Sequence, residues 1–333
     1  MTDDSFVHRQ IEANGIRLHV AEAGEGPAVL LCHGWPETWY SWRHQLRALA
    51  AAGFRALAPD MRGYGRSDAP EAIEAYTQLH LCGDMVGLLD ALGLPEAVII
   101  GHDWGAPVAW NSALMRPDRF RAVAGLSVPY RPRGRISAVD AFKAGGLDTI
   151  YMMYFQTPGV AERELEADVP RSLRRIYYSG SGSLPPGQAW RAFVPPGKGL
   201  LDSTFDTEMP LAWLSHEDLA VYVQDFARSG FRGGLNWYRN LHRNWELMAA
   251  FAQAPIRQPS LFIAGARDGV IRMPGLSPDA EVLRKVLPGL TQSVLIDGAG
   301  HWVQQEAPER VNALLIEFLR SSVVSRQLSV VSG

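Results

Sequence analysis

Short runs of apolar residues, bounded by turn-forming residues, recur along this 333-residue chain. A near-continuous apolar run is typical of a strand that is buried on both faces of a parallel sheet. Six such runs occupy residues 28–32, 55–59, 97–101, 121–126, 260–264 and 293–296. Ahead of them, residues 8–24 predict a β-hairpin that turns at Asn14-Gly15. Together these segments predict an eight-stranded, mostly parallel sheet.

Helical periodicity occurs between the strands, where apolar residues recur three and four positions apart. Two clear sets are Leu81, Met85, Leu88, Leu89 and Leu92, and Val311, Leu314, Leu315 and Phe318. Gly93 and Pro95 end the first helix, and Pro308 begins the second. Strands that alternate with helices indicate the α/β class, in which helices flank the sheet.

Residues 131–250 break this alternation, because they are aromatic and helical and include a Gly-, Pro- and Ser-rich piece at 179–199. A loop of that length inside a domain is usually functional or mobile. We expect residues 131–250 to form an inserted helical cap over the carboxyl ends of the strands, where α/β proteins bind ligands. Residues 1–130 and 251–320 then form the core, and residues 321–333 a frayed tail.

Composition and charge narrow the class of protein. A net charge of −3 and a hydrophobic content of 47% fit a globular chain with a sizeable core, and they do not favour nucleic acid or an anionic membrane as a partner. Cys32 and Cys82 predict buried thiols in a reducing compartment. The first ten residues are polar and acidic, unlike a secretory signal, and no apolar run reaches the ~18 residues of a membrane span. We expect a cytoplasmic monomer or homodimer.

The segment GHDWGA at 101–106 has the outline of a nucleophile elbow, G-x-S-x-G, with Asp103 in the position of the serine. A predicted strand precedes it and a helical pattern follows it, which is the context that an elbow requires. A capping aspartate in a glycine-flanked turn is the alternative interpretation. We favour Asp103 as a nucleophile because motif and context agree.

Two later turns supply candidates for a base and for the group that orients it. His301, in GAGHW after the last strand, lies where such folds place a general base. Asp268, in GARDG after the strand before it, can orient His301 and stabilise its charged form. Some relatives place this acid one strand earlier, but the stretch at 125–130 has no carboxylate. A structural histidine and a turn aspartate remain the alternatives.

An elbow fold also needs backbone N–H donors for a developing oxyanion. Trp35, in HGWP directly after the strand at 28–32, and Trp104, directly after Asp103, are the candidates. The chain has no dinucleotide fingerprint and no zinc motif, so we expect neither a cofactor nor a metal.

An aspartate in the elbow changes the chemistry that is expected. A carboxylate is ionised at neutral pH, so it attacks without a base and leaves the histidine free for a second step. Its attack on a saturated carbon gives an alkyl ester, which activated water can hydrolyse. The expected electrophiles are therefore epoxides and alkyl halides. An epoxide oxygen needs a proton as it leaves, and Tyr151, Tyr154 and Tyr238 are candidate acids in the predicted cap, although a tyrosine more often packs than reacts.

The motifs HGWP, GHDWGA, YMMYFQTPGV, SGFRGGLNWYRN, GARD and GAGHW together resemble those of soluble epoxide hydrolases of the α/β-hydrolase superfamily. The resemblance extends from about residue 25 to 318. It implies that Asp103 is the nucleophile, His301 the base and Asp268 the third member of the triad. It also implies that two tyrosines of the cap, Tyr151 and Tyr238, act as acids.

The same resemblance implies that Trp35 and Trp104 are the oxyanion donors, that the Trp35-Pro36 bond is cis, and that the partners are an epoxide and water alone. Haloalkane dehalogenases are the alternative, although they usually have Asn or Glu where this chain has Trp35. A non-catalytic binding protein on the same fold is a remoter one. Candidates for an apolar substrate pocket are Met152, Phe155 and Trp302, with Met153, Trp190 and Phe193, although interior packing is the more common role of such residues.

Overall fold

A computed structural model describes residues 6–185, 187–190, 192–273 and 275–331. One sheet organises the chain, and its strands are β1 (Val7–Ala13), β2 (Ile16–Ala23), β3 (Ala28–Cys32), β4 (Arg55–Pro59), β5 (Ala97–His102), β6 (Phe120–Leu126), β7 (Ser260–Gly265) and β8 (Leu290–Ile296). Their order across the sheet is β1-β2-β4-β3-β5-β6-β7-β8. β2 pairs antiparallel with β1 and β4, and the remaining neighbours are parallel. The predicted fold class is confirmed.

The hairpin turn follows directly from its two residues. Asn14 and Gly15 both have positive φ, at 50° and 76°. A two-residue turn of this type matches the twist of the flanking strands, and Asn-Gly is the pair that adopts it most readily. β1 therefore pairs with β2 in the register that places Ala13 opposite Ile16.

Helices cover both faces of the sheet. In chain order they are α1 (Arg43–Ala51), α2 (Gln78–Ala91), α3 (Gly105–Met115), α4 (Ala138–Ala144), α5 (Tyr151–Tyr154), α6 (Val160–Glu166), α7 (Val169–Gly180), α8 (His216–Ser229), α9 (Arg232–Arg239), α10 (Leu241–Leu247), α11 (Ala280–Arg284), α12 (Val303–Glu306) and α13 (Pro308–Val331). Alternate strand residues point to opposite faces. Leu30 and Ile99 accordingly join a cluster with α2 and α3, whereas Val29 and Ile100 join a second cluster with α1 and α13.

The helices α4 to α10 lie between β6 and β7 along the chain. Their apolar side chains, among them Phe155, Tyr177 and Phe226, belong to the same hydrophobic cluster as one face of the sheet. This packing fixes the segment against the end of the sheet where Asp103 lies. The cap boundaries at 131 and 250 stay a prediction.

The final helix is longer than its sequence pattern indicated. We expected a frayed tail over 321–333, but the backbone is helical as far as Val331, and residues 332–333 lie outside the described residues. Once a helix is nucleated, each added residue gains a hydrogen bond, so a weak pattern can still continue it. In the part of the chain that the structure describes, no helix combines the length and apolarity needed to cross a membrane.

Candidate active site

Asp103 occupies a tight turn between β5 and α3, with a φ of 48°. This left-handed conformation is uncommon for a residue other than glycine and marks local strain. A Cβ atom on Gly101 would collide with the carbonyl of Gly105, and one on Gly105 would collide with the carbonyl of Cys32. The two glycines of G-x-D-x-G are therefore required by close backbone packing. The predicted strand–turn–helix context is present.

The carboxylate of Asp103 lies between a backbone donor and an imidazole. The N–H of Trp35 donates to Oδ1 at 2.8 Å, and Nε2 of His301 lies 3.4 Å from Oδ2. Burial alone raises the pKa of Asp103, but the hydrogen bond and charge of His301 and the Trp35 N–H bring it below its usual range. Asp103 is therefore ionised at neutral pH. The Trp35-Pro36 bond is cis.

Trp104 follows Asp103 and caps the N-terminus of α3, so its N–H belongs to the group of donors that a helix leaves unpaired at that end. Its ring packs edge-on against Tyr238, with 4.9 Å between ring centroids. Of the two predicted oxyanion donors, Trp35 already contacts the carboxylate in this structure.

His301 lies between two carboxylates. Its Nδ1 is 3.2 Å and 3.3 Å from the two oxygens of Asp268, on the side opposite Asp103. Burial lowers the pKa of His301, but the charges and hydrogen bonds of Asp268 and Asp103 outweigh this and raise it well above its usual value. Burial raises the pKa of Asp268, and His301, Ser127 and the N–H of Val270 more than offset the effect. Asp103, Asp268 and His301 are up to 198 positions apart in the sequence, and His301 contacts both aspartates in the structure.

The structure adds a residue to this group that the sequence analysis missed. Ser127, directly after β6, places its Oγ 2.5 Å from Oδ2 of Asp268 and 2.8 Å from Nδ1 of His301. The stretch at 125–130 contains no carboxylate, and a serine in such a stretch does not by itself indicate a site residue. Its position at the carboxyl end of a core strand was the available signal, since ligand-facing groups of α/β sheets gather there.

Two buried tyrosines face the same cavity as Asp103. Tyr151 from α5 and Tyr238 from α9 both line it, and their ring centroids are 5.8 Å apart. Burial, aided by the nearby charge of Asp103, raises the pKa of both phenols far above the usual range, so both remain protonated donors. The hydroxyl of Tyr154 donates instead to Glu164 at 2.8 Å, so it is directed away from the cavity that Tyr151 and Tyr238 line.

The cavity has a volume of about 170 Å³. Besides the polar groups above, apolar residues from α7, from the segment after it and from the loops after β7 and β8 line its wall: Ile176, Leu184, Trp190, Leu200, Val270 and Trp302. Of the candidates for the pocket, Trp302 and Trp190 lie in this wall.

The other pocket candidates take the alternative role, interior packing, or lie at the surface. Met152, Met153, Phe155 and Phe193 are absent from the described residues that line the cavity. Phe155 is fully buried against the rings of Trp35 and Tyr238, and Phe193 is 44% exposed. Every position of YMMYF is apolar or aromatic, so its sequence does not mark which side faces the ligand.

A buried carboxylate holds the loop that carries His301. Oε2 of Glu306 accepts the N–H groups of Gly182 and Gly300 at 2.7 Å and 3.1 Å, and Oε1 accepts that of Trp302 at 3.0 Å. The N–H of His301 itself donates to the carbonyl of Gly180 at 2.7 Å. The loop is thereby tied to the segment that walls the cavity.

Metal ligands do not gather in this site or elsewhere among the described residues: no group of three or more His, Cys, Asp or Glu side chains is arranged to hold an ion.

Comparison with known proteins places the chain in a class and then in a family. Residues 27–308 match the model of the alpha/beta hydrolase fold. The chain is 50% identical to epoxide hydrolase A of Mycobacterium tuberculosis over 317 residues, which cover 93% of this chain and 96% of the relative. An epoxide hydrolase of Caballeronia sordidicola is 45% identical, with 93% of each chain covered.

Solved structures agree with these relatives. An epoxide hydrolase from an endophytic Streptomyces superimposes with a TM-score of 0.91 at 49% identity, covering 96% of each chain. An epoxide hydrolase from Vigna radiata gives 0.89 at 40% identity, covering 96% of this chain and 99% of the other. The chain belongs to the epoxide hydrolase family of the α/β-hydrolase superfamily.

Proposed function

We propose that this protein hydrolyses epoxides to vicinal diols through a covalent ester on Asp103. The observation that carries the proposal is the meeting of an ionised carboxylate, an imidazole and two protonated phenols in one cavity. An acyl-transfer enzyme has no need of two buried phenols, whereas the alkoxide released from an epoxide needs donors. Membership of the family supports the same substrate class.

In the first step, Oδ2 or Oδ1 of Asp103 attacks a ring carbon, a carbon–oxygen ester bond forms, and the ring carbon–oxygen bond breaks. Tyr151 and Tyr238 hold the leaving oxygen, and one of them gives it a proton, which the phenolate later recovers from water. The two phenols lie in a low-dielectric environment, where a hydrogen bond to a developing charge is strong.

In the second step, His301 removes a proton from water, and the hydroxide adds to the ester carbonyl carbon of Asp103. The N–H groups of Trp35 and Trp104 stabilise the oxyanion. When the intermediate collapses, the diol oxygen takes the proton from His301 and Asp103 is left as a carboxylic acid. This acid loses the second proton of the attacking water, which passes through water to the phenolate, so that the carboxylate and the phenol are both restored. Asp268 stabilises the charged form of the imidazole throughout.

Ester formation prepares the base for this second step. In the resting protein the charge of Asp103 is one of the causes that raise the pKa of His301. An ester carries no charge, so that contribution disappears once the ester forms. His301 then releases its proton more easily and can act as a base near neutral pH.

The haloalkane reaction is the alternative chemistry for an aspartate in an elbow. A halide leaves as an anion and needs no proton. The test is a paired assay in which the purified protein receives styrene oxide or 1-bromobutane, and diol and bromide are quantified. We expect diol without bromide. Bromide without diol would overturn the epoxide assignment.

The two-step mechanism has its own test. The variant His301→Gln keeps the nucleophile and the phenols but lacks the base, so it should accumulate the ester, seen as a mass gain equal to that of the substrate. Asp103→Ala is the matched control and should gain no mass. An unchanged mass in His301→Gln, with intact folding, would contradict a covalent intermediate.

We also propose a cytoplasmic location and a monomer or homodimer. The location is supported by Cys32 and Cys82, which are both buried and free.

A further inference from the structure

Ser127 combines local strain with firm anchoring. Its φ is 69°, a left-handed value that side chains rarely adopt. Its N–H donates to the carbonyl of Ile263 in β7 at 2.9 Å, and the N–H of Val128 donates to that of Leu126 at 2.8 Å. Strain of this kind persists where the surrounding structure holds it, and it gathers at functional sites. Here it directs a fully buried hydroxyl towards Asp268 and His301.

The hydroxyl is the nearest partner of the imidazole nitrogen. Oγ of Ser127 lies 2.8 Å from Nδ1 of His301, whereas the two oxygens of Asp268 lie at 3.2 Å and 3.3 Å. Hydrogen bonds weaken beyond the usual range of about 2.7–3.2 Å. The shortest hydrogen-bonded path between carboxylate and imidazole therefore passes through Ser127.

The direction of that link follows from the donors available. A serine hydroxyl has one proton, and an ionised carboxylate only accepts. The Ser127 hydroxyl therefore donates its proton to Oδ2 of Asp268, 2.5 Å away. Oγ can then only accept from Nδ1 of His301, which must carry its hydrogen. In the neutral imidazole the lone pair therefore lies on Nε2, the nitrogen that is 3.4 Å from Oδ2 of Asp103.

We propose that the Ser127 hydroxyl is a positioning group that fixes the tautomer and the ring orientation of His301 for the hydrolysis step. The proposal rests on the proposed function, since Nε2 must be free to take a proton from water. Ester formation needs Asp103 and the two phenols but not a neutral imidazole. Loss of the hydroxyl should therefore slow the second step and leave the first nearly unchanged.

The test uses Ser127→Ala and Ser127→Gly, of which the second also relieves the positive φ and keeps the experiment valid if the first folds poorly. Single-turnover kinetics with styrene oxide would follow ester and diol by mass. We expect hydrolysis of the ester to slow roughly 10- to 100-fold in both variants, as for the loss of a hydrogen bond to a charged group, with ester formation changed less than about threefold.

Ser260→Ala is the matched control. Ser260 is also fully buried, and its hydroxyl has no hydrogen-bond partner among the described residues. The control should keep both rates. Equal slowing of both steps in the Ser127 variants, or no slowing of hydrolysis, would overturn the positioning role.

A second measurement separates this proposal from the proposed function. The ¹⁵N shifts of His301, taken above its titration pH, report which ring nitrogen carries hydrogen without any need for turnover. We expect hydrogen on Nδ1 in the wild type and a mixture of tautomers in Ser127→Gly. The same single tautomer in both proteins would overturn the role of Ser127. A wild type that forms no ester from epoxides would overturn the proposed function alone.

Discussion

The charge of Asp103 should control the proton affinity of His301, and Asp103→Asn tests this directly. The amide keeps the shape of the side chain and an oxygen that can accept the Trp35 N–H, but it removes the charge. In this respect it resembles the ester that we propose as the intermediate. The variant therefore reports, in a stable protein, how the base behaves in the second half of the reaction.

The separation of the two groups sets the magnitude. Nε2 of His301 and Oδ2 of Asp103 are 3.4 Å apart. With an effective dielectric constant of about 20, Coulomb's law gives an attraction of roughly 5 kcal/mol at this separation. Water that enters the site of the variant recovers part of this loss. We therefore expect the imidazole of Asp103→Asn to bind a proton at least about tenfold more weakly, since each 1.4 kcal/mol corresponds to a factor of ten.

The assay is an NMR titration of protein with ¹⁵N-labelled histidine, in which the His301 signal is assigned by its absence in His301→Gln. The titration of His301 should move to lower pH in Asp103→Asn. The exposed Asp118→Asn is a control that removes one negative charge outside the cavity and should leave the titration unchanged. If His301 titrates at the same pH in Asp103→Asn and in the wild type, the charge of the nucleophile does not hold the proton, and the proposed release of the base on ester formation is wrong.

Three further outcomes are expected. Tyr151→Phe or Tyr238→Phe should each slow ester formation by roughly 10- to 100-fold in stopped-flow assays, because each loses a hydrogen bond to a developing charge. The double variant should lose ester formation almost wholly. A fast double variant would refute the assignment of the two tyrosines as acids. Burial raises the pKa of Glu306 from 4.5 to about 7. Ionisation of Glu306 is therefore costly in the folded state, and the free energy of unfolding should fall by up to about 3 kcal/mol as the pH rises from 4.5 to above about 7. Urea titrations across this pH range should show the fall in the wild type, and its contribution should be absent in Glu306→Gln. Gly34→Ala should abolish diol formation without unfolding the chain, as judged by circular dichroism, because the new methyl group meets the side chain of Asp103.

Sequence alone predicted the features that short stretches of chain determine. A buried strand, a helical face and the Asn14-Gly15 turn are each encoded by neighbouring residues, so their positions were confirmed. The elbow around Asp103 belongs to this group, because its glycines act on a turn of a few residues. The sequence positions of Asp268 and His301 after successive strands were also sufficient, since parallel strands deliver their carboxyl ends to one edge of the sheet.

Tertiary packing decided which side chains face the cavity. Tyr151 and Phe155 lie on the same short stretch of apolar and aromatic residues, yet one lines the cavity and the other fills the core behind it. A local pattern carries no information on this choice when polar residues are absent to mark the outer face. The wall formed by Leu184 and Trp190 likewise comes from a loop without periodicity.

Ser127 and Glu306, which hold His301 and its loop, likewise could not be found from a local sequence pattern. Ser127 lies 174 residues before His301, and Glu306 ties the His301 loop to Gly182. Neither residue belongs to a motif, because a hydroxyl or a carboxylate gains its role only from what packing brings within 3 Å of it. The sequence therefore determined the elements and the order of Asp103, Asp268 and His301 along the chain. The tertiary structure alone decided how His301 is held, since hydrogen bonds between distant segments depend on the packing of whole elements.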